Sequence, residues 1–426
     1  MTPTDSAMSR LIARIDSGAG DLDSTGDRTP MYDATIEEVD GRDIRIGDKW
    51  LADFASCNYL GFDLNEEIIA ASQAAIERWG THPSWSRLLG NPALYPEIEE
   101  RLTDLLHAPD SLVLPTITLI HTAVLPMLAE GGGILLDRRA HKTLFDTAVI
   151  AENRGSYVER FRQEDLDAFE DQLRAARGAI GPDGPLLVCL DGLNSMTGNV
   201  PPLADMLALC EHQGAILYVD DAHGFGVLGE NPSPTLPYGY RGNSVVRHLG
   251  QGYENLILVG GFSKAYSAIL AFIALPTPLK EKLKYSAPPY LYSGPSPTAS
   301  LAGVLAGFDV NDRDGDVIRA DLYTKTRRVL DHLGALGIDT PNVSGSPIIE
   351  IPVADPDTVP QAAKLLWDNG IYVTLAAYPL VPKKEAGFRV QMTAANTTEH
   401  VERLCDALSL LVERSIITTG PDGADD

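Results

Sequence analysis

The chain is 426 residues long and carries 59 acidic against 34 basic side chains, a formal charge of −25. A surface of that sign repels phosphate backbones and anionic lipid, so neither nucleic acid nor a membrane is expected as a partner. The cysteines, Cys57, Cys189, Cys210 and Cys405, are widely spaced without a CxxC pair; that gives metal and redox clusters no support and suits a reducing cytoplasm.

Residues 1–30 hold one short amphipathic piece followed by a turn-rich linker, and are expected to form a flexible N-terminal segment without a secretory pattern. Short apolar runs then alternate with helical patterns. SLVLP at 111–115, GILLD at 133–137, LLVCL at 186–190, AILYV at 215–219, LILVG at 256–260 and AFIAL at 271–275 read as buried strands. Between them ADMLALCEHQG at 204–214 has apolar residues at helical spacing and a closing glycine. This alternation predicts an α/β fold with a mostly parallel sheet covered by helices. The longest apolar stretch, AILAFIAL at 268–275, is too short to span a bilayer.

After Pro297 the texture changes. A helical stretch over 298–336 leads into the strand-like SPIIEIPV, IYVTLA and FRVQMT and two amphipathic helices near 357–369 and 398–413. The expected organisation is a large domain over 62–305, a smaller α+β domain built from 31–61 with 306–415, and an acidic tail at 416–426.

Ligands of open α/β sheets gather at the carboxyl ends of strands. AILYV ends in Asp220, in the run VDDAHGFG, with His223 three residues on; LILVG leads into GFSK and Lys264; GILL leads into DRRAH and His141. A lysine that follows a buried strand and precedes an apolar run is placed for Schiff-base chemistry, which wants a desolvated, nucleophilic amine. A pyridine cofactor needs an anion at its ring nitrogen, and Asp220 could supply it. An aspartate there also serves as a turn former, and a histidine at position 141 as a helix cap; the combination with the lysine favours the cofactor.

The ordered series CNYLGF, LLDRRAHKT, DGLNSMTGNVPPL, VDDAHGFGVLG, GGFSKA, YSGPSP, GIYVTLAAYPLVP and FRVQMTAAN resembles the α-oxoamine synthases, over roughly residues 50–410. The resemblance implies a fold-type-I transferase dependent on pyridoxal 5'-phosphate (PLP), a homodimer with active sites at the subunit interface. It implies that Lys264 carries the cofactor, Asp220 pairs with the pyridinium nitrogen, His223 contacts the phenolic oxygen and His141 stacks on the ring. It further places Ser195 by the cofactor with Asp191 upstream, Ser293 at the neighbouring subunit's phosphate, Arg389 on the amino-acid carboxylate and Asn58 among the substrate residues. The implied reaction joins an amino acid to an acyl thioester with loss of carboxylate, giving an α-amino ketone.

The chain departs from the family pattern in three places. LPTITLIH puts Thr116, Ile117 and Thr118 where a Ser-Gly-aromatic segment normally holds the phosphate; their hydroxyls and N–H groups remain available, and they are expected to bind the cofactor. Gly261 stands where a phosphate-binding threonine is usual, with Ser263 as the expected substitute. The segment THPSWSRLLGNPALYP is bulky, Tyr95 replaces a common histidine, Cys57 an asparagine, and Asn396 a histidine. These changes leave the donor amino acid and the electrophile open. Transamination, retro-aldol cleavage or a non-catalytic cofactor-binding subunit are the competing readings, since the same electron sink serves several reactions.

Overall fold

The computed structural model describes residues 6–16, 29–353, 355–378 and 381–417. Within the expected N-terminal segment, Ala7–Asp16 is helical; most of its linker, and the acidic tail from residue 418, lie outside the described residues. The chain divides into two compact units. The larger holds Cys57–Tyr323, and the smaller combines residues up to Ser56 with those from Thr324 onward.

The smaller unit opens with a meander of β1 (Glu38–Asp40), β2 (Asp43–Ile46) and β3 (Lys49–Asp53). Its two tight turns use Gly41 and Gly47 at φ values of 57° and 61°, where a Cβ would be strained.

The larger unit is built on a seven-stranded sheet. Its strands are β4 (Ser111–Leu114), β5 (Gly133–Asp137), β6 (Tyr157–Phe161), β7 (Leu186–Asp191), β8 (Ile216–Asp220), β9 (Leu256–Gly261) and β10 (Ala271–Ala274). They lie in the order β4-β10-β9-β8-β7-β5-β6. The five from β9 to β6 are mutually parallel, while β10 runs antiparallel to both β9 and β4. All residues of β5, β7 and β9 are buried, as a sheet covered on both faces requires. Ile120, Val124 and Leu144 from the covering helices pack with Leu136, Leu187 and Val259 from the strands. Each such side chain removed from water contributes about 2 kcal/mol before entropy is counted.

All six apolar runs are strands, but β6 escapes the sequence pattern. Its segment YVERF is an edge strand with two charged residues, Glu159 half-buried and Arg160 exposed, so it lacks the apolar run that marks the others.

The helix Thr298–Leu336 is continuous, as its periodicity predicts. The boundary expected at 305/306 therefore falls inside it, and the division instead lies after Tyr323. The reason is local bonding. Asn311 Nδ2 donates to Arg241 O at 3.0 Å, and the fully buried Arg319 donates to Gly226 O at 3.1 Å. Residues 57–61 likewise belong to the larger unit rather than the smaller.

The rest of the smaller unit contains β11 (Ile348–Pro352), β12 (Ile371–Tyr372), β13 (Thr374–Ala376) and β14 (Gly387–Gln391). The run IYVTLA, read as one strand, divides at Val373: β12 pairs parallel with β3, and β13 pairs antiparallel with β14. The helices Val359–Asp368 and Thr398–Glu413 follow expectation, the second with a Thr397–His400 capping box. No helix among the described residues is long and apolar enough to cross a membrane.

Candidate active site

The carboxyl ends of β7, β8 and β9 open on a cavity of about 180 Å³ lined wholly by the larger unit. Lys264, Asp220, His223 and His141 all line it. So do Ser195, Asp191 and Ser263, and the run Thr116, Ile117, Thr118.

Asp220 ends β8 and is buried, with Oδ1 accepting from Ala222 N–H at 3.0 Å. Asp191 is its register partner on β7, and Asp191 Oδ1 accepts from His141 N–H at 2.8 Å. Burial, reinforced by the Asp220 charge, pushes the Asp191 carboxyl well above the usual carboxylate range. Ser195 sits on a turn shaped by Asn194, whose Oδ1 accepts from the N–H groups of Met196 and Thr197 at 3.1 and 2.9 Å.

Two buried residues that the sequence did not single out stand behind this wall and touch its side chains. Tyr59, fully buried, places its hydroxyl 2.7 Å from His223 Nδ1. Its motif CNYLGF was recognised, but the tyrosine carries no signal of its own beyond an aromatic in an apolar run. His121 is also fully buried, on the helix Ile117–Leu128, with Nε2 3.6 Å from Asp220 Oδ2. Its Nδ1 lies 2.9 Å from Thr143 Oγ1, and the same hydroxyl lies 2.8 Å from His141 Nδ1. Burial drives the His121 imidazole down to about 4, so it is neutral at pH 7.

Lys264 is half-buried rather than sealed away, and Ser263 beside it is exposed. The lysine sits in a tight turn closed by Ser267 N–H donating to Lys264 O at 3.0 Å, with Ser267 held at a φ of 55°. Ser267 Oγ donates to Asn58 Oδ1 at 3.1 Å, and Asn58 Nδ2 donates to Asp63 Oδ2 at 3.0 Å. Asn58, expected among the substrate residues, does not line the cavity; it braces the lysine turn.

Thr116 is the N-cap of the helix Ile117–Leu128 and accepts from Leu119 N–H at 3.2 Å. The first N–H groups of that helix have no intrahelical acceptor and present a ready anion site. Ile117 and Gly261, two of the departures expected in the phosphate region, are neighbours in space. A Cβ at Gly261 would meet Ile117 Cδ1 at 2.7 Å and Cγ1 at 3.2 Å, so the isoleucine occupies the room a side chain at 261 would take. Tyr95 is equally well accommodated: it is buried, its hydroxyl accepts from Ser296 N–H at 2.8 Å, and the Arg87 guanidinium stacks 3.9 Å from its ring centre. His141 is exposed and caps the helix Lys142–Asn153, so the capping reading is correct alongside its place in the cavity wall.

Two further expected residues lie elsewhere. Ser293 is not in the cavity of its own chain; its hydroxyl donates to Gly294 O at 3.1 Å. Arg389 belongs to the smaller unit, half-buried on β14, in register with Glu350 and Thr374.

The family model for aminotransferases of class I and II matches residues 51–408. The 8-amino-7-oxononanoate synthase of Thermosipho melanesiensis is 30% identical over 375 residues, covering 87% of this chain and 90% of that protein. That of Pseudomonas paraeruginosa is 31% identical, covering 88% of each. The chain belongs to the α-oxoamine synthases, within the class I and II aminotransferase family. Solved structures agree on the fold. Serine palmitoyltransferase from S. paucimobilis, bound to a PLP–myriocin aldimine, superposes with a TM-score of 0.84 at 24% identity, covering 96% of this chain and 99% of that one. The 8-amino-7-oxononanoate synthase of Francisella tularensis gives 0.69 at 19%, covering 86% and 99%.

This α-oxoamine synthase is accordingly a PLP-dependent acyltransferase. Its cavity suits that cofactor on its own chemistry. It offers one amine, a buried carboxylate, two imidazoles and a helix start, which match an aldehyde, a ring nitrogen, a phenolic oxygen with a ring face, and a phosphate.

Proposed function

We propose that this cavity performs the decarboxylative condensation of an amino acid with an acyl thioester, releasing an α-amino ketone. Bound PLP supplies an electron sink for charge that develops at the amino acid's α-carbon. Lys264 Nζ would hold the cofactor and would serve as the general base that takes the proton leaving the amino acid's α-carbon. Asp220 keeps the ring nitrogen protonated, because an anion there favours the cationic form. His223, held by Tyr59, donates to the phenolic oxygen, and His141 covers the ring with Ser195 beside it. The N–H groups at Ile117 and Thr118, with the hydroxyls of Thr116, Thr118 and Ser263, bind the phosphate. Arg389 fixes the amino-acid carboxylate by a bidentate contact.

The reading rests on the convergence of Lys264, Asp220, His223 and His141 on one cavity at the strand ends. A homodimer completes it, with Ser293 reaching the phosphate of the neighbouring copy. Support comes from exposed apolar residues, Trp85 at 54%, Leu89 at 81% and Tyr292 at 84%, on segments joined by Ser86 Oγ donating to Leu291 O at 2.8 Å. Cysteines that form no disulfide among the described residues suit a cytoplasmic setting.

Visible absorption of the purified protein during an amino-acid screen, with and without acyl-coenzyme A, tests the assignment. A yellow protein whose spectrum responds to one amino acid and yields a ketone with the thioester is expected. A colourless protein that takes up no PLP and shows no reduced adduct on Lys264 would overturn it. Pyridoxamine phosphate formed together with a keto acid would mark transamination instead.

A further inference from the structure

The most unusual polar group in the larger unit is His121. It is fully buried, does not line the cavity, and its Nε2 has no hydrogen-bond partner among the described residues. An unmatched buried polar atom is destabilising, so its retention in a largely apolar helix calls for a reason. Nε2 faces Asp220 Oδ2 at 3.6 Å, a small side-chain rotation short of a hydrogen bond.

Proton counting defines what that imidazole offers. Thr143 Oγ1 lies 2.9 Å from His121 Nδ1 and 2.8 Å from His141 Nδ1, yet a hydroxyl has one proton to give. If the hydroxyl donates to His121 Nδ1, the neutral ring carries its proton on Nε2 and presents a donor to Asp220. If the hydroxyl donates to His141, His121 must donate from Nδ1, and Nε2 would aim a lone pair at a buried carboxylate. The carboxylate selects the first arrangement. His141 Nδ1–H then donates to that same hydroxyl oxygen at 2.8 Å, in preference to the longer 3.3 Å approach of the Thr143 main-chain N–H. The charged and titratable groups around His121 are Asp220, His141 and Lys264, and the ring of Tyr218 lies 5.8 Å away.

We infer that His121 is a positioning residue for the cofactor: its Nε2–H orients the Asp220 carboxylate, while the Thr143 hydroxyl ties the same imidazole to His141. Asp220 Oδ1 is taken by Ala222 N–H, and His121 supplies the corresponding donor for Oδ2. The residue that charges the cofactor ring and the residue that covers it are thus linked through one buried imidazole and one hydroxyl. The inference rests on the proposed placing of the ring nitrogen at Asp220.

The test is a pH titration of the visible band of PLP-loaded enzyme, together with the rate of cofactor release. A cationic ring nitrogen lowers the proton affinity of the lysine–cofactor linkage, so any loss of ring charge raises the titration midpoint. His121→Phe should raise that midpoint by about one unit and speed cofactor release about tenfold. His121→Gln, whose amide nitrogen reaches the place of Nε2, should keep the wild-type midpoint, whereas the shorter His121→Asn should not. Thr143→Val should shift it part of the way. Asp220→Asn is the control for the underlying placement. If it leaves the midpoint unmoved, the cofactor orientation is wrong. If it moves the midpoint while His121→Phe and His121→Asn titrate with the wild type, the role of His121 is refuted and the orientation stands. Should His121→Phe not fold, the glutamine and asparagine variants decide the matter, and equal midpoints would refute the role.

Discussion

Asp191, Asp220 and His223 form a part of the cavity wall that is buried and pinned by main-chain N–H groups or by a tyrosine hydroxyl. The rest of the lining differs: Lys264 is half-buried, and His141, Thr118 and Ser263 are exposed. The division follows the chemistry. Groups that only set charge on the cofactor gain from a low-dielectric, rigid setting, where each electrostatic contact is strengthened. Lys264, which exchanges partners during turnover, must remain reachable by substrate, and His141, Thr118 and Ser263 line the open mouth through which cofactor and substrate enter.

The largest effect belongs on the open side. Lys264→Ala should cut kcat by about 10⁴-fold or more with an unchanged circular-dichroism spectrum, because the covalent tether and the base go together. Wild-type turnover in that variant would erase the distinction between the two sides. On the buried side, Tyr59→Phe removes the hydroxyl bound to His223 and should lower kcat/KM about tenfold. An unaltered pH–rate profile would show that His223 needs no such support. Ser263→Ala should weaken PLP retention only about threefold, measured by dialysis, since an exposed hydroxyl competes with water.

The smallest effect concerns stability away from the cavity. Burial pushes the Asp137 carboxyl up to about 6. The folded chain then holds a proton that the unfolded chain releases near pH 4, so this contribution is present at low pH and is lost as pH rises through about 6. Asp137→Asn should therefore flatten the decline in Tm between about pH 5 and pH 8, gaining most on the alkaline side. A parallel pair of Tm curves would place that carboxyl on the ordinary scale.

The parts of this site that could be read in advance were those that terminate apolar strands. Lys264, Asp220 and His141 each follow such a run, and the parallel sheet brings strand ends together whatever the loops do. His121 and Thr143 could not be read in this way. Their significance lies in a contact between two helices, and a histidine within LIHTAV looks like a packed core residue. Asn58 is expected among the substrate residues, and nothing in its motif shows that its amide is engaged by Asp63 and Ser267. The unit boundary was displaced for a comparable reason: nothing in helical periodicity records that Arg319 is anchored to Gly226.

The contact between Ile117 and the space above Gly261 constrains how this protein can change. Reverting Gly261 to threonine alone drives the new side chain against the isoleucine, and reverting Ile117 to glycine alone leaves a void and loosens a helix start. The contact is with the end of a flexible, half-buried side chain, which can turn aside for the threonine, whereas the void left at position 117 has nothing to fill it. The two positions thus share one volume, and exchanging both at once keeps that volume filled.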